Sequence, residues 1–132
     1  MTRTQPAPTA PRSTSANRAV QVTAALSVLV LLWQFVSAGR MIGDSAGVDG
    51  HGAGAIALHV VGALLVVATF LHARAGGERW PVVLAAAVLV AGFVQAAIGD
   101  AGNMTAHVPG ALVLTVGTVW VTAWAFRRSA AG

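Results

Sequence analysis

Apolar and polar positions along this chain fall into blocks rather than a fine alternation. Four blocks, residues 19–39, 53–73, 81–99 and 106–126, contain no Asp, Glu, Lys or Arg. Each is close to the ~20 residues a helix needs to cross ~30 Å of hydrocarbon. The pattern predicts four membrane-spanning helices joined by short polar segments. Ahead of them, residues 1–17 (MTRTQPAPTAPRSTSAN) are rich in Pro, Ser and Thr with almost nothing to bury, which predicts a disordered tail. The expected fold is an all-α integral membrane protein. One four-helix domain covers residues 18–128, an up-down bundle made of two tandem helical hairpins.

Composition explains why water cannot be the solvent. Hydrophobic residues make up 56% of the chain and charged residues 9%, against about a quarter charged in soluble domains. The net charge of +4 does not point to nucleic acid, because the arginines are sorted by side. Arg3, Arg12 and Arg18 precede the first block, Arg74 and Arg79 separate the second and third, and Arg127 and Arg128 follow the fourth. Only Arg40 falls at the other end, with Asp44, Asp49 and Asp100. The positive-inside rule places both termini and the 74–79 segment in the cytoplasm. Trp80 and Trp124 then fall at the inner interface and Trp33 near the outer one. Basic residues that are all Arg, with abundant Ala, Val and Gly, suggest a GC-rich bacterial genome and hence a bacterial cytoplasmic membrane. The absence of cysteine excludes disulfide exchange and covalent haem attachment through C-x-x-C-H. Val36-Ser37-Ala38 with Gly39 resembles a signal-peptide cleavage site. The apolar run before it exceeds the ~7–15 residues of a signal core, so the first span is expected to remain.

Within the apolar blocks one unit occurs twice. HVVGAL (59–64) and HVPGAL (107–112) differ at one position. The first span ends in WQFVSAGR with Gln34, and the third ends in VQAAIGD with Gln95. Each glutamine is followed by a loop, 41–52 or 100–105, then by the histidine unit and an arginine at 74 or 127. The chain reads as a Gln–loop–His hairpin used twice, both copies running the same way through the membrane, as parallel repeats do.

That repeat predicts a site. His59 and His107 would lie in the first turns of the second and fourth spans, and Gln34 and Gln95 in the last turns of the first and third. All four would then share one depth near the outer face. Spans two and four are diagonal in an up-down bundle, roughly 11–14 Å apart for neighbours at ~8–10 Å, a gap suited to two imidazoles with a b-type haem between them. Gly62 and Gly110, one turn below the histidines, would leave a slot for a flat ligand. A helix N-terminus favours the neutral ring that iron binds. The glutamines would fix the ring tautomers, Arg40 would pair with a propionate, and Pro109 would sit in a first turn, where proline is tolerated. The competing reading is packing: interfacial histidine, glutamine as interhelical glue and Gly/Ala as close-packing residues.

Other residues carry weaker signals. His72 lies at the inner end with no histidine counterpart and reads as interfacial. His51, Met41, Met104 and His107 suggest copper at the outer face, since imidazole and thioether suit it. His51 with Asp44 and Asp49 otherwise reads as a solvated loop. Ser27 and Thr23 are expected to bond back to their own helix.

The ordered motifs QF-x-x-AG, H-x-x-G, a Gln near the end of the third span, and H-x-P-G resemble a family of small four-helix bacterial membrane proteins classed as a domain of unknown function. The resemblance covers Ala19–Arg128 and implies the fold but no activity. Gln–loop–His used twice is more distantly similar to one half of haem A synthase, whose paired outer histidines ligate haem; His59 and His107 would be their counterparts. No acidic residue stands beside His59, so the resemblance does not extend to that enzyme's oxidative chemistry. The expected function is electron transfer through a haem, with a partner protein or a quinone as redox partner and self-association compatible with it. The alternative is a non-enzymatic accessory or assembly protein whose His/Gln layer locks the bundle. A proton-coupled transporter ranks last, because such proteins rely on an intramembrane carboxylate and all four acidic residues lie outside the spans.

Overall fold

A computed structural model describes residues 12–44 and 48–130. It consists of four α-helices: α1 Arg12–Asp44, α2 Val48–Arg74, α3 Trp80–Asp100 and α4 Met104–Ala130. All four are long and apolar enough to span a membrane. α1 packs on α2 and α4, and α3 packs on the same two; the pairs α1/α3 and α2/α4 make no close backbone approach. The molecule is therefore an up-down four-helix bundle with α2 and α4 on one diagonal. An even number of spans puts both chain ends at one end of the bundle. The other, distal end carries the α1–α2 and α3–α4 connections.

The helices extend beyond the apolar blocks, and the extensions matter. α1 begins at Arg12, inside the expected disordered tail, while residues 1–11 lie outside the described residues. α1 runs on to Asp44 and α2 starts at Val48, so most of the expected 41–52 loop is helical. The reason is local. The stretch DGHGAGAIAL is low in hydropathy because of its glycines, but Gly50 and Gly54 form a smooth helix face against α1. Trp33 lies across that face and its Nε1–H donates to the Gly50 carbonyl at 2.9 Å. α4 likewise starts at Met104, capped by the Asn103 side chain, which accepts from the Ala106 N–H at 3.2 Å. Pro109 consequently sits in the second turn rather than the first. The turns between helices use glycine where the backbone goes left-handed, Gly76 (φ 91°) and Gly102 (φ 72°).

The apolar core occupies the half nearer the termini. Val20, Ala24, Leu65, Ala68, Ala85, Val121, Trp124 and Ala125 form it. Small residues dominate because close backbone approach, not hydrophobic exclusion, holds membrane helices together. Thr23 and Ser27 bond back to the carbonyls of Ala19 (2.8 Å) and Thr23 (2.9 Å), as expected. In α3 only Pro81 and Ala85 are buried, both near its start. Among the described residues the distal half of the bundle buries Leu31 but has no buried apolar cluster, and polar contacts cross it instead.

Candidate functional site

Those polar contacts converge on two histidines, and the pair is His51 with His107. Their ring centres are 6.3 Å apart across the α2/α4 diagonal, with planes inclined at 64°. On α4, the His107 Nδ1 lies 3.0 Å from the Gln95 carbonyl. A carbonyl only accepts, so Nδ1 carries a proton, and the neutral ring then has its lone pair on Nε2. On α2, the His51 Nδ1 lies 3.1 Å from Ser37 Oγ. Ser37 commits its own proton to the Gln34 carbonyl at 3.1 Å, so its oxygen accepts from His51. His51 therefore also carries a proton on Nδ1.

The supporting shell repeats in the same way. The Gln95 amide nitrogen donates to the His107 carbonyl. With the Gln34 amide oriented so that both its atoms find partners, its nitrogen donates to the His51 carbonyl (3.0 Å) and its oxygen accepts from the Ala55 N–H (3.3 Å). Gln34 fills the notch left by Gly54, and Gln95 fills the one left by Gly110. Each glycine is three residues beyond its histidine, one turn on and on the same face. The structural repeat is thus Gln34–His51–Gly54 matched to Gln95–His107–Gly110, carried by HGAGAI (51–56) and HVPGAL (107–112). Glutamine equivalence follows the sequence expectation; the histidine equivalence shifts from His59 to His51.

His59 stands apart. Its ring stacks on Phe93 (centres 4.0 Å apart), its Nδ1–H donates to the Ala55 carbonyl at 2.7 Å, and its buried Nε2 has no hydrogen-bond partner among the described residues. A Cβ on Gly92 would lie 3.5 Å from that Nε2, whereas one on Gly99 would lie 2.7 Å from His107 Cε1. Seven residues of α3 separate those two glycines, or ~10 Å along the helix axis. The expected common depth for His59 and His107 therefore does not occur: α2 starts earlier than its apolar block, which carries His59 two turns inward. The expected slot below the histidines is not open either, since Gln95 occupies it at Gly110, while Gly62 faces Leu89. Arg40 is exposed near the end of α1.

At the opposite end, in the last turn of α2, His72 is buried inside the bundle. Its Nδ1–H donates to Asn17 Oδ1 at 2.8 Å, and its ring meets Trp124 edge-on. Trp124 is 8% exposed, and its Nε1–H reaches Glu78 at 3.2 Å. This cluster ties the start of α1 and the end of α4 to the α2–α3 turn. An open groove of about 670 Å³ between α3 and α4 is lined by Ala86, Ala87, Val90, Ala91, Val94, Gln95, Ile98 and Leu114. Gln95 is its one polar side chain and is already engaged by His107. Ser37 escaped the sequence reading as a site residue, and His51 entered it only in the copper set with Met41, Met104 and His107. The available signal was the H-x-x-G-A spacing, which occurs at 51–55 as well as at 59–63.

Compared with protein-family models, curated proteins and solved structures, the chain matches none. What the site can do must come from its own geometry. Two imidazoles with Nδ1–H held by oxygens and ring centres 6.3 Å apart near the end of an apolar bundle can, in their neutral form, offer Nε2 to a metal ion.

Proposed function

We propose that this is a multi-pass protein of the bacterial cytoplasmic membrane whose His51 and His107 hold a transition-metal centre near the outer face. The orientation follows from the arginine distribution. One observation carries the reading: two imidazoles on diagonal helices, 6.3 Å apart, each with Nδ1–H committed to an oxygen. Metal-ligating histidines almost always donate their second ring N–H to such an oxygen, which fixes the tautomer and raises ligand basicity.

One form of the centre is b-type haem, the cofactor the internal repeat suggests. His51 and His107 would supply both axial ligands, and iron with both axial positions filled serves electron transfer rather than ligand activation. A partner protein or a membrane quinone would complete the path. Visible spectra of the detergent-purified protein, oxidised and reduced, test this form after haem is added. Low-spin bands lost in His51→Ala and His107→Ala but kept in His59→Ala support it. Bands that depend on His59 and not His51 return the site to the pairing read from the hexapeptides. A folded protein that binds neither haem nor any metal ion removes the whole reading.

A specific observation also favours packing as a second reading. The two glutamine amides cross helix interfaces and fill glycine notches, as a polar layer does when it locks a bundle in an accessory or assembly protein. In that case both histidines can be replaced with loss of stability alone.

A further inference from the structure

We infer that the His51–His107 pair binds a bare soft monovalent cation, Cu(I), in a near-linear two-nitrogen geometry. This rests on the metal-centre reading above and names its metal. Distance decides the coordination geometry. Once both Nε2 atoms turn toward one ion, metal–nitrogen bonds of ~2.0 Å and about 1.1 Å from nitrogen to ring centre put two imidazoles ~6.2 Å apart across a linear unit and ~5 Å apart across a tetrahedral one. The separation here is 6.3 Å. The 64° between ring planes is no obstacle, because the rings turn freely about a linear axis.

Donor count agrees. Among the described residues no group of three or more His, Cys, Asp or Glu assembles anywhere. Zn(II) takes four ligands, at least three of them from protein in nearly all sites, whereas two neutral nitrogens satisfy Cu(I). Charge points the same way. Imidazole brings no negative charge as a ligand, and Asp49 and Asp100 at this end are exposed. The solvation lost by an ion entering an apolar bundle grows with the square of its charge, so a monovalent ion loses about a quarter of what a divalent one does.

Space separates the ion from a porphyrin. The His107 ring lies against Gly99, and the two glutamine amides fill the notches one turn deeper. An ion needs only the gap between the rings; a macrocycle needs the surroundings to open. A soft donor is also at hand. Met104, half-exposed, stands three residues before His107 on α4, so its thioether shares that helix face and suits copper as a reserve ligand.

The test is anaerobic titration of the purified full chain in detergent with Cu(I), in competition with a chromophoric Cu(I) chelator. One ion per chain is expected, with excess Zn(II) unable to displace it. His51→Ala and His107→Ala should each weaken binding by more than the ~10–100-fold that loss of an outer-shell partner costs, and Ser37→Ala by about that amount. His59→Ala should bind as the wild type does. X-ray absorption on the wild-type complex needs no variant and should show two nitrogen neighbours at ~2.0 Å. A shell of four light neighbours, or Cu(I) binding indifferent to both histidines, overturns the inference. Zn(II) or haem bound through both histidines, with Cu(I) excluded, overturns it too but leaves the metal-centre reading standing. If nothing binds through the pair, both fall.

Discussion

The notch at Gly110 makes a prediction whose sign can be inverted. A methyl group there would collide with the Gln95 amide oxygen and stand 3.2 Å from its Cδ. The end of a glutamine side chain can move, but moving it breaks the bond from its nitrogen to the His107 carbonyl. Interhelical hydrogen bonds in membrane proteins contribute about 0.6 kcal/mol on average and up to ~1.7. A half-buried amide left unsatisfied costs a further ~1–3 kcal/mol. Against this, replacing glycine by alanine in a helix gains about 1 kcal/mol. Gly110→Ala should therefore destabilise the bundle by roughly 1–3 kcal/mol net. In a Gln95→Ala background the collision is gone, and the same substitution should stabilise by up to ~1 kcal/mol. Gly52→Ala is the control, a helical position with nothing within 4 Å. Equilibrium unfolding in mixed micelles with rising SDS, followed by tryptophan fluorescence, measures all four variants. If Gly110→Ala is as stable as the wild type, or its effect is the same with and without Gln95, Gln95 does not fill the Gly110 notch.

Three further outcomes follow from other parts of the structure. His59→Phe keeps the stack on Phe93 and removes a buried nitrogen that has no partner; thermal melts in detergent should show it neutral or up to ~1 kcal/mol more stable, and a large loss would show that Nε2 has a partner. Gly77→Ala would put a methyl group on the His72 ring and should cost ~1–3 kcal/mol by overpacking, read by the same unfolding assay; an unchanged midpoint would mean that the α2–α3 turn yields freely. Because the chain has no cysteine, single cysteines report orientation cleanly: Ala101→Cys should react with an impermeant maleimide on intact cells and Ala75→Cys only after permeabilisation. The reverse pattern would invert the proposed topology.

Much of this was legible in the chain as written. Four apolar blocks free of charge can only be satisfied by helices in a bilayer, because no other open structure closes every backbone hydrogen bond there. Up-down order then places α2 and α4 on a diagonal and brings both connections to the end that carries Gln34 and Gln95. Which histidine faces His107 was not legible. H-x-x-G-A occurs at 51–55 and again at 59–63, and similarity favours the second copy because HVVGAL matches HVPGAL more closely. The tertiary structure chooses the first. Trp33 and Gln34 lie on Gly50 and Gly54, and Ser37 reaches His51. That contact makes a glycine-rich, weakly apolar stretch helical and slides His59 two turns inward. Hydropathy measures how well a residue suits lipid and is blind to glycine as a packing surface, so a helix start held by backbone approach to a neighbouring helix is decided only when the two helices meet.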